Sequence, residues 1–338
     1  EAVCERAAAN AIGFLRARPK DKPFFLMVGF REPHRPWGDP ASEPWKPADA
    51  RVPGYLPDVP EVREEMRQFY ADVGRMDAAV GSILRYLEEA DLDGNTLVIY
   101  TADHGIAMPL AKGTLYDPGC KIALVVCGRG HVGGGRRCGA LTWNVDILPT
   151  LLEVAGELER LPKGLDGRSL WPFLADNAQV GHEAIFLEQT WHDFYEPMRA
   201  IRTFRHKLIR NFEPGEGLQI AADILPSPTV DAMREMLRDW PRPVYELYDL
   251  CKDPLERENL FGKPEVAAVQ AELVRKLQEY LSATHDPILE GVVPAPVGYW
   301  EHFCAKPAGP GGLPPAKGRE GWLTVRWPSG ATRHKCGA

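Results

Sequence analysis

Apolar residues follow two rhythms in the first half of this chain. Pro23-Phe24-Phe25-Leu26-Met27-Val28-Gly29-Phe30, Leu97-Val98-Ile99-Tyr100 and Lys121-Ile122-Ala123-Leu124-Val125-Val126-Cys127 are short, nearly unbroken apolar runs. Runs of that kind predict strands of a parallel sheet buried on both faces. Elsewhere the spacing is helical. Met66, Phe69, Tyr70, Val73, Met76, Val80, Ile83, Leu84 and Leu87 recur at steps of three and four, which predicts one long helix over about 61–90. Asp77 falls on or near its apolar face, where a buried structural hydrogen bond is its expected role. Asp91-Leu92-Asp93-Gly94-Asn95 supplies turn residues to stop it. Val3, Ala7, Ala11, Phe14 and Leu15 predict a helix over 1–15, and Val145 to Val154 another over 144–155. Residues 37–60 are Pro-rich and irregular, as functional loops often are.

After about residue 180 the texture changes. Ala184-Ile185-Phe186-Leu187 reads as a short strand, 198–212 as a hairpin turning near Arg205-His206, and 244–250 as a further strand. Asp253-Pro254 and Glu258-Asn259-Leu260 form a capped turn. Val266, Val269, Leu273, Leu277 and Leu281 then mark a helix over 264–283. A small antiparallel sheet with a helix over it is an α+β subdomain. The expected organisation is an α/β domain over 1–180, this subdomain over 181–290, and an irregular Pro/Gly-rich tail over 291–338. No internal repeat interrupts that order.

Composition narrows the function classes. A net charge of -7 without a long basic stretch argues against a nucleic-acid binder. No apolar run reaches the length that crosses a bilayer. The first residues do not resemble a signal peptide. They open inside a helix without a cap, which predicts further residues upstream. The seven cysteines are scattered, odd in number and form no C-x-x-C pair. Disulfides Cys120–Cys138 and Cys304–Cys336 stay open as alternatives, with free, partly buried thiols favoured. There is no N-x-S/T sequon. The loop Gly128 to Gly139 matches neither phosphate-cradling glycine motif and is expected in solvent.

Two of the predicted strands stop at charged residues. One runs into Thr101-Ala102-Asp103-His104-Gly105, the other into Arg31-Glu32-Pro33-His34-Arg35-Pro36. Ligands of open α/β sheets bind beyond the carboxyl ends of strands. Asp103 and His104 are donors for a divalent cation, oxygen-rich sites suiting calcium. Gly105 permits a tight turn or close backbone approach. Lys112 and His34 bring positive charge to an anion. The set fits hydrolysis of an anionic ester, where charge must be stabilised on a leaving oxygen or nitrogen. Plainer roles compete: Asp103 as an ordinary turn residue, His34 as a brace for its loop, Lys112 as a solvated lysine. Arg35 and Arg199 are expected to be salt-bridge partners.

Taken in order, Phe24-Phe25-Leu26 through Pro33-His34-Arg35, then Asp72 to Gly81, then Thr96 to Tyr116 resemble the sulfatase family of the alkaline-phosphatase-like superfamily. Trp191-His192, Tyr195-Glu196-Pro197-Met198-Arg199, Tyr245 to Asp249 with Asp253-Pro254, and Thr284-His285-Asp286-Pro287 resemble its sulfamidase-like group. The resemblance covers about residues 1–290. It implies a mixed sheet sandwiched by helices, with a small antiparallel α+β subdomain behind it. It implies Asp103 and His104 as metal ligands, for calcium with manganese as the alternative. His34 would contact the sulfate or protonate the leaving group, and Lys112 would hold the sulfate. His192 and Gln189 would contact the sugar. The implied partner is a sulfated saccharide, with a homodimer allowed, and the implied destination is periplasmic, extracellular or lysosomal.

Sulfatases act through a formylglycine made from cysteine or serine in a C/S-x-P/A-x-R motif, a form of covalent catalysis. None of the seven cysteines stands in that motif, and the motif is expected to be absent from the chain. The expected protein is therefore a sulfatase lacking its N-terminal portion, and the 338 residues alone are expected not to turn over substrate. A phosphodiesterase or phosphonate monoester hydrolase of the same superfamily is the alternative enzyme. A non-catalytic remnant that binds glycans or a partner chain is the alternative of another class.

Overall fold

The computed structural model describes residues 3–38, 46–129, 132–176 and 181–296. The chain falls into two compact units. One draws on 1–103, 122–138 and 147–180, the other on 104–121, 139–146 and 181–338.

The first unit contains helices α1 (Val3–Ala17), α2 (Pro60–Glu89) and α3 (Ile147–Val154) and strands β1 (Val98–Thr101) and β2 (Leu124–Cys127). A proline at the start, where its missing N–H costs nothing, opens α2. Asp91 in the left-handed region (φ 54°) reverses the chain after it. Helix α1 buries Cys4, Ala8, Ala11 and Leu15. That face is rotated from the predicted one, since Phe14 stands exposed. Cys4 and Ala8 are small, so α1 meets α2 closely at Ala79, with Phe30 and Ile83 packed around them.

Three expectations need correction here. Asp77 is exposed. One step of about 100° past the buried Met76 takes it off the apolar face. The buried carboxylates of α2 are instead Glu65, which accepts from Arg35 at 2.7 Å, and Asp72, which pairs with Arg75 and accepts from Gly38 N. Secondly, β1 and β2 run antiparallel, with Val98 opposite Cys127 and Thr101 opposite Leu124. They are only half-buried, and Val125 is 57% exposed. Thirdly, Pro23–Phe30 is extended but joins no sheet among the described residues. Phe24, Leu26, Val28 and Phe30 are half-buried while Phe25 and Met27 are 72% and 83% exposed. An apolar run reports a wish for burial; it does not report how many strands lie alongside.

The second unit is built on a four-stranded antiparallel sheet in the order β3 (Ala184–Trp191), β4 (Tyr195–Thr203), β5 (His206–Asn211) and β6 (Tyr245–Asp249). Ile185 pairs with Arg202, Ile201 with Leu208, and Leu208 with Leu247. Helix α4 (Ala267–Ala283) covers one face, setting Leu273, Leu277 and Leu281 against Ile201, Leu208 and Leu247. This is the predicted α+β arrangement, with β3 and β4 reaching further toward their connecting turn than the apolar residues alone suggest.

Cys4, Cys120, Cys127, Cys138 and Cys251 are free thiols, so Cys120 and Cys138 are not bridged. Cys304, Cys336 and the tail from 297 onward lie outside the described residues. No helix of the described residues is long and apolar enough to cross a membrane.

Candidate functional site

The end of β1 delivers Asp103, exposed, and His104, half-buried. His104 Nδ1 lies 2.8 Å from the carbonyl oxygen of Gly105. A carbonyl only accepts, so Nδ1 carries the proton and Nε2 of the neutral ring holds the lone pair a metal would need. Gly105 is dictated by space: its N–H donates to Gly119 O at 2.8 Å, and a Cβ there would sit 1.8 Å from Pro118 O. Among the described residues no three His, Cys, Asp or Glu side chains gather into a metal site. Calcium takes about six to eight oxygen ligands. Asp103 and His104 would supply only two ligands of such a shell, and the described residues do not complete it.

Lys112 follows on a loop folded tightly on itself. Leu110 and Gly113 take left-handed conformations (φ 62° and 82°), and Lys112 N donates to Ile106 O. Ala107, Met108, Ala111 and Leu115 are buried beneath it. Lys112 is only 6% exposed, and its Nζ lies 2.9 Å from Asp223 Oδ2. The solvated-lysine alternative is thus excluded.

A buried polar network fastens the far end of this loop to the sheet. Tyr116 donates to Glu246 at 2.8 Å and accepts from Trp240 at 3.0 Å. Asp117 takes two hydrogen bonds from Arg202 (3.1 and 3.0 Å) and pairs with Lys207 at 2.6 Å. Lys207, fully buried, also donates to Leu115 O at 3.0 Å and stands 2.8 Å from Glu256 Oε1, an ion pair off the hydrogen-bond direction. Burial pushes the Asp117 carboxyl up, but Arg202 and Lys207 outweigh it and hold it at about 2. Burial dominates at Glu256 and raises its pKa.

Gln189 lies beside a bulge in β3, and His192 and Asp193 occupy the turn from β3 into β4. With Gly113, Glu196 and Gln219 they line a small cleft. Asp193 Oδ2 accepts from Ala222 N at 2.6 Å and lies 3.2 Å from His192 Nδ1. Burial raises the Asp193 pKa, but His192, the Ala222 N–H and the Lys112 charge together leave it lowered. Lys112, His192 and Gln189 thus belong to one neighbourhood, linked through Asp223 and Asp193. Neither carboxylate was visible as a candidate from spacing. A His-Asp pair in sequence was the only signal for Asp193.

His34 belongs to the first unit. Its loop contains cis peptide bonds at Glu32-Pro33 and Arg35-Pro36. Its Nδ1 lies 2.5 Å from Arg35 O, which again places the proton on Nδ1. Arg35 is bound to Glu65 and lies 3.7 Å over the Trp37 ring, while the Arg199 guanidinium grips Asp286 at 2.5 and 2.9 Å. Both arginines are the salt-bridge partners expected.

The fold has known counterparts. A solved protein in complex with its substrate D-glucosamine-2-N,6-O-disulfate matches with a TM-score of 0.62 at 21% identity, over 84% of this chain and 71% of that one. The chain therefore has the mixed α/β fold of the alkaline-phosphatase-like class. Residues 4–157 match the family model described as Sulfatase. Human N-sulphoglucosamine sulphohydrolase is 29% identical over 316 residues, 79% of this chain and 62% of the human protein. An ulvan-active sulfatase of Formosa agariphila is 30% identical over 251 residues, 70% of this chain and 41% of its own length. The chain thus spans about two-fifths to three-fifths of the length of these two relatives.

One sequence expectation falls here on the letters alone. Ser329-Gly330-Ala331-Thr332-Arg333 satisfies C/S-x-P/A-x-R, so the motif is not absent from the chain. It lies outside the described residues.

Proposed function

We propose that this chain belongs to a sulfatase that hydrolyses a sulfate ester or sulfamate on a sugar. The observation that carries the reading is Lys112, a residue inside the sulfatase-family stretch, buried on Asp223 next to a cleft lined by Gln189 and His192. An ammonium has three donors, so Lys112 can keep Asp223 and still bind sulfate oxygens. Gln189 and His192 then meet sugar hydroxyls. His34, its Nδ1–H held by the Arg35 carbonyl, gives a proton from Nε2 to the leaving oxygen or nitrogen only as the doubly protonated imidazolium. Asp103 and His104 contribute to a divalent-cation shell, with calcium or manganese as the ion. The relatives named for N-sulphoglucosamine and for ulvan support a saccharide substrate, and such a substrate suits an exported or lysosomal protein.

The test is sulfate release from glucosamine N-sulfate and glucosamine 6-sulfate by the polypeptide as its gene encodes it. Lys112→Ala is expected to lower kcat/KM by roughly 100-fold, the scale of losing one charge-stabilising donor. Unchanged sulfate release in Lys112→Ala, or cleavage of a phosphate diester in place of sulfate, would overturn the reading.

A further inference from the structure

We infer that Glu65 and Asp72 are positioning residues for His34: from one side of α2 they hold the loop 31–38 in the form that keeps one ring proton on Nδ1 and makes Nε2 the nitrogen that gains and loses the second. The inference rests on the sulfatase reading only for what that second proton is used for. Glu65, Phe69 and Asp72 follow at steps of four and three, so they share one side of the helix. Each meets a different residue of the loop. Glu65 Oε1 accepts from Arg35 Nη1 at 2.7 Å, the Phe69 and Trp37 ring centres are 5.5 Å apart, and Asp72 Oδ1 accepts from Gly38 N at 3.2 Å. Glu65, Asp72 and Arg35 are all buried. A carboxylate is costly to bury unless it is paired and hydrogen-bonded, and here the pairing reaches out of the helix to the loop.

The residue that Glu65 grips is the one that orients the histidine. His34 Nδ1 is hydrogen-bonded to Arg35 O at 2.5 Å, and a carbonyl only accepts, so Nδ1 carries the proton. The Arg35 guanidinium is fixed twice, on Glu65 and 3.7 Å over the Trp37 ring. Trp37 Nε1 donates to Pro33 O at 2.9 Å, and His34 N donates to Arg31 O at 2.8 Å. The turn is thus closed around the histidine, while His34 itself is exposed. Which nitrogen of a neutral imidazole holds the proton is set by the hydrogen bond the ring makes. With Nδ1–H on Arg35 O, the ring becomes imidazolium at Nε2 and returns the proton from Nε2. A loop released from α2 would present either nitrogen and lose that direction.

Glu65→Gln removes the charge that holds Arg35 and keeps the size of the side chain. Asp72→Ala removes the acceptor for Gly38 N and tests the other end of the contact. Nitrogen-15 NMR of the histidine rings at mildly alkaline pH, with His34 assigned by its loss in His34→Gln, reads the proton position. The wild type is expected to show protonated Nδ1 and bare Nε2 at His34, and both variants a mixture of the two forms. A wild type protonated at Nε2 instead, or variants that stay folded by circular dichroism and keep the wild-type pattern, overturns the inference. With glucosamine 6-sulfate, Glu65→Gln should lower kcat about tenfold with KM within about twofold, part of what a general acid supplies. A nitrophenyl sulfate, whose phenolate leaves without a proton, should lose less than about twofold in the same variant. Equal losses on the two substrates would mean that Glu65 only supports the fold, and would overturn the inference. Wild-type protein that releases no sulfate, while Glu65→Gln still moves the His34 proton, would remove the sulfatase reading and uphold the positioning role.

Discussion

The two units solve the same problem with different completeness. In the second, every central strand has neighbours on both sides, and α4 closes one face over Ile201, Leu208 and Leu247. In the first, β1 and β2 form an antiparallel pair alone among the described residues, and Pro23–Phe30 runs extended with Phe25 and Met27 in solvent. The apolar patterns of the two regions are alike; their burial is not. The difference reaches the candidate site. Lys112, on a loop fastened to the complete sheet, is buried and paired, whereas Asp103 at the end of β1 is exposed. Side chains are held firmly where a finished sheet stands behind them.

The largest effect expected from this contrast is at Lys207. Its ammonium serves Asp117, Glu256 and the Leu115 carbonyl, with no solvent to replace it. Lys207→Ala leaves Glu256 without its cation, facing an Asp117 that keeps only Arg202, and should cost about 4 kcal/mol in urea unfolding. A loss below about 1 kcal/mol would mean that the network is not what anchors the loop.

Next comes Gly105→Ala. The added carbon would meet Pro118 O at 1.8 Å, and backbone rather than a flexible side chain must yield. The expected loss is about 2–3 kcal/mol, as for other overpacked sites. Hydrogen exchange should localise it: the amide of Gly105, bonded to Gly119 O, should lose protection before those of α2.

Asp117 gives a smaller effect with a defined pH window. Its native pKa of about 2 lies below the unfolded value of about 3.9. A depressed carboxyl contributes stability above its unfolded pKa and loses it as pH falls through the folded one. The contribution, roughly 2 kcal/mol, is thus complete above about pH 4 and gone below about pH 2. The stability gap between wild type and Asp117→Asn should narrow over that interval. A constant gap would show that Arg202 and Lys207 do not hold the charge.

These expectations also mark how far the residues announced the structure. The long helix predicted over 61–90 is Pro60–Glu89, and the hairpin predicted to turn near Arg205-His206 breaks between Thr203 and His206. Helical spacing and turn chemistry are local, so they are readable. Strand partners are not, and the parallel, doubly buried strands expected at 97–100 and 121–127 became a half-exposed antiparallel pair. Among candidate residues, Lys112, Gln189 and His192 were named by resemblance, and the close backbone approach at Gly105 was readable from the glycine itself. Asp223, which holds Lys112 from 111 residues away, was not, because no periodicity connects a loop lysine to a distant carboxylate.

The smallest effect tests the comparison at its open end. Met27 is 83% exposed on a segment with no strand beside it among the described residues, while Leu26 next to it is half-buried. If the outer face is in water, Met27→Ser removes no buried area and should change stability by less than about 0.5 kcal/mol. Leu26→Ser removes part of a buried side chain and should cost more, about 1 kcal/mol or above. Leu208→Ala, in the finished sheet, should exceed both at about 3 kcal/mol. The order is more telling than any one value. Were Met27→Ser to cost as much as Leu26→Ser, the outer face would be covered in solution, and the contrast between the two units would belong to the isolated chain alone.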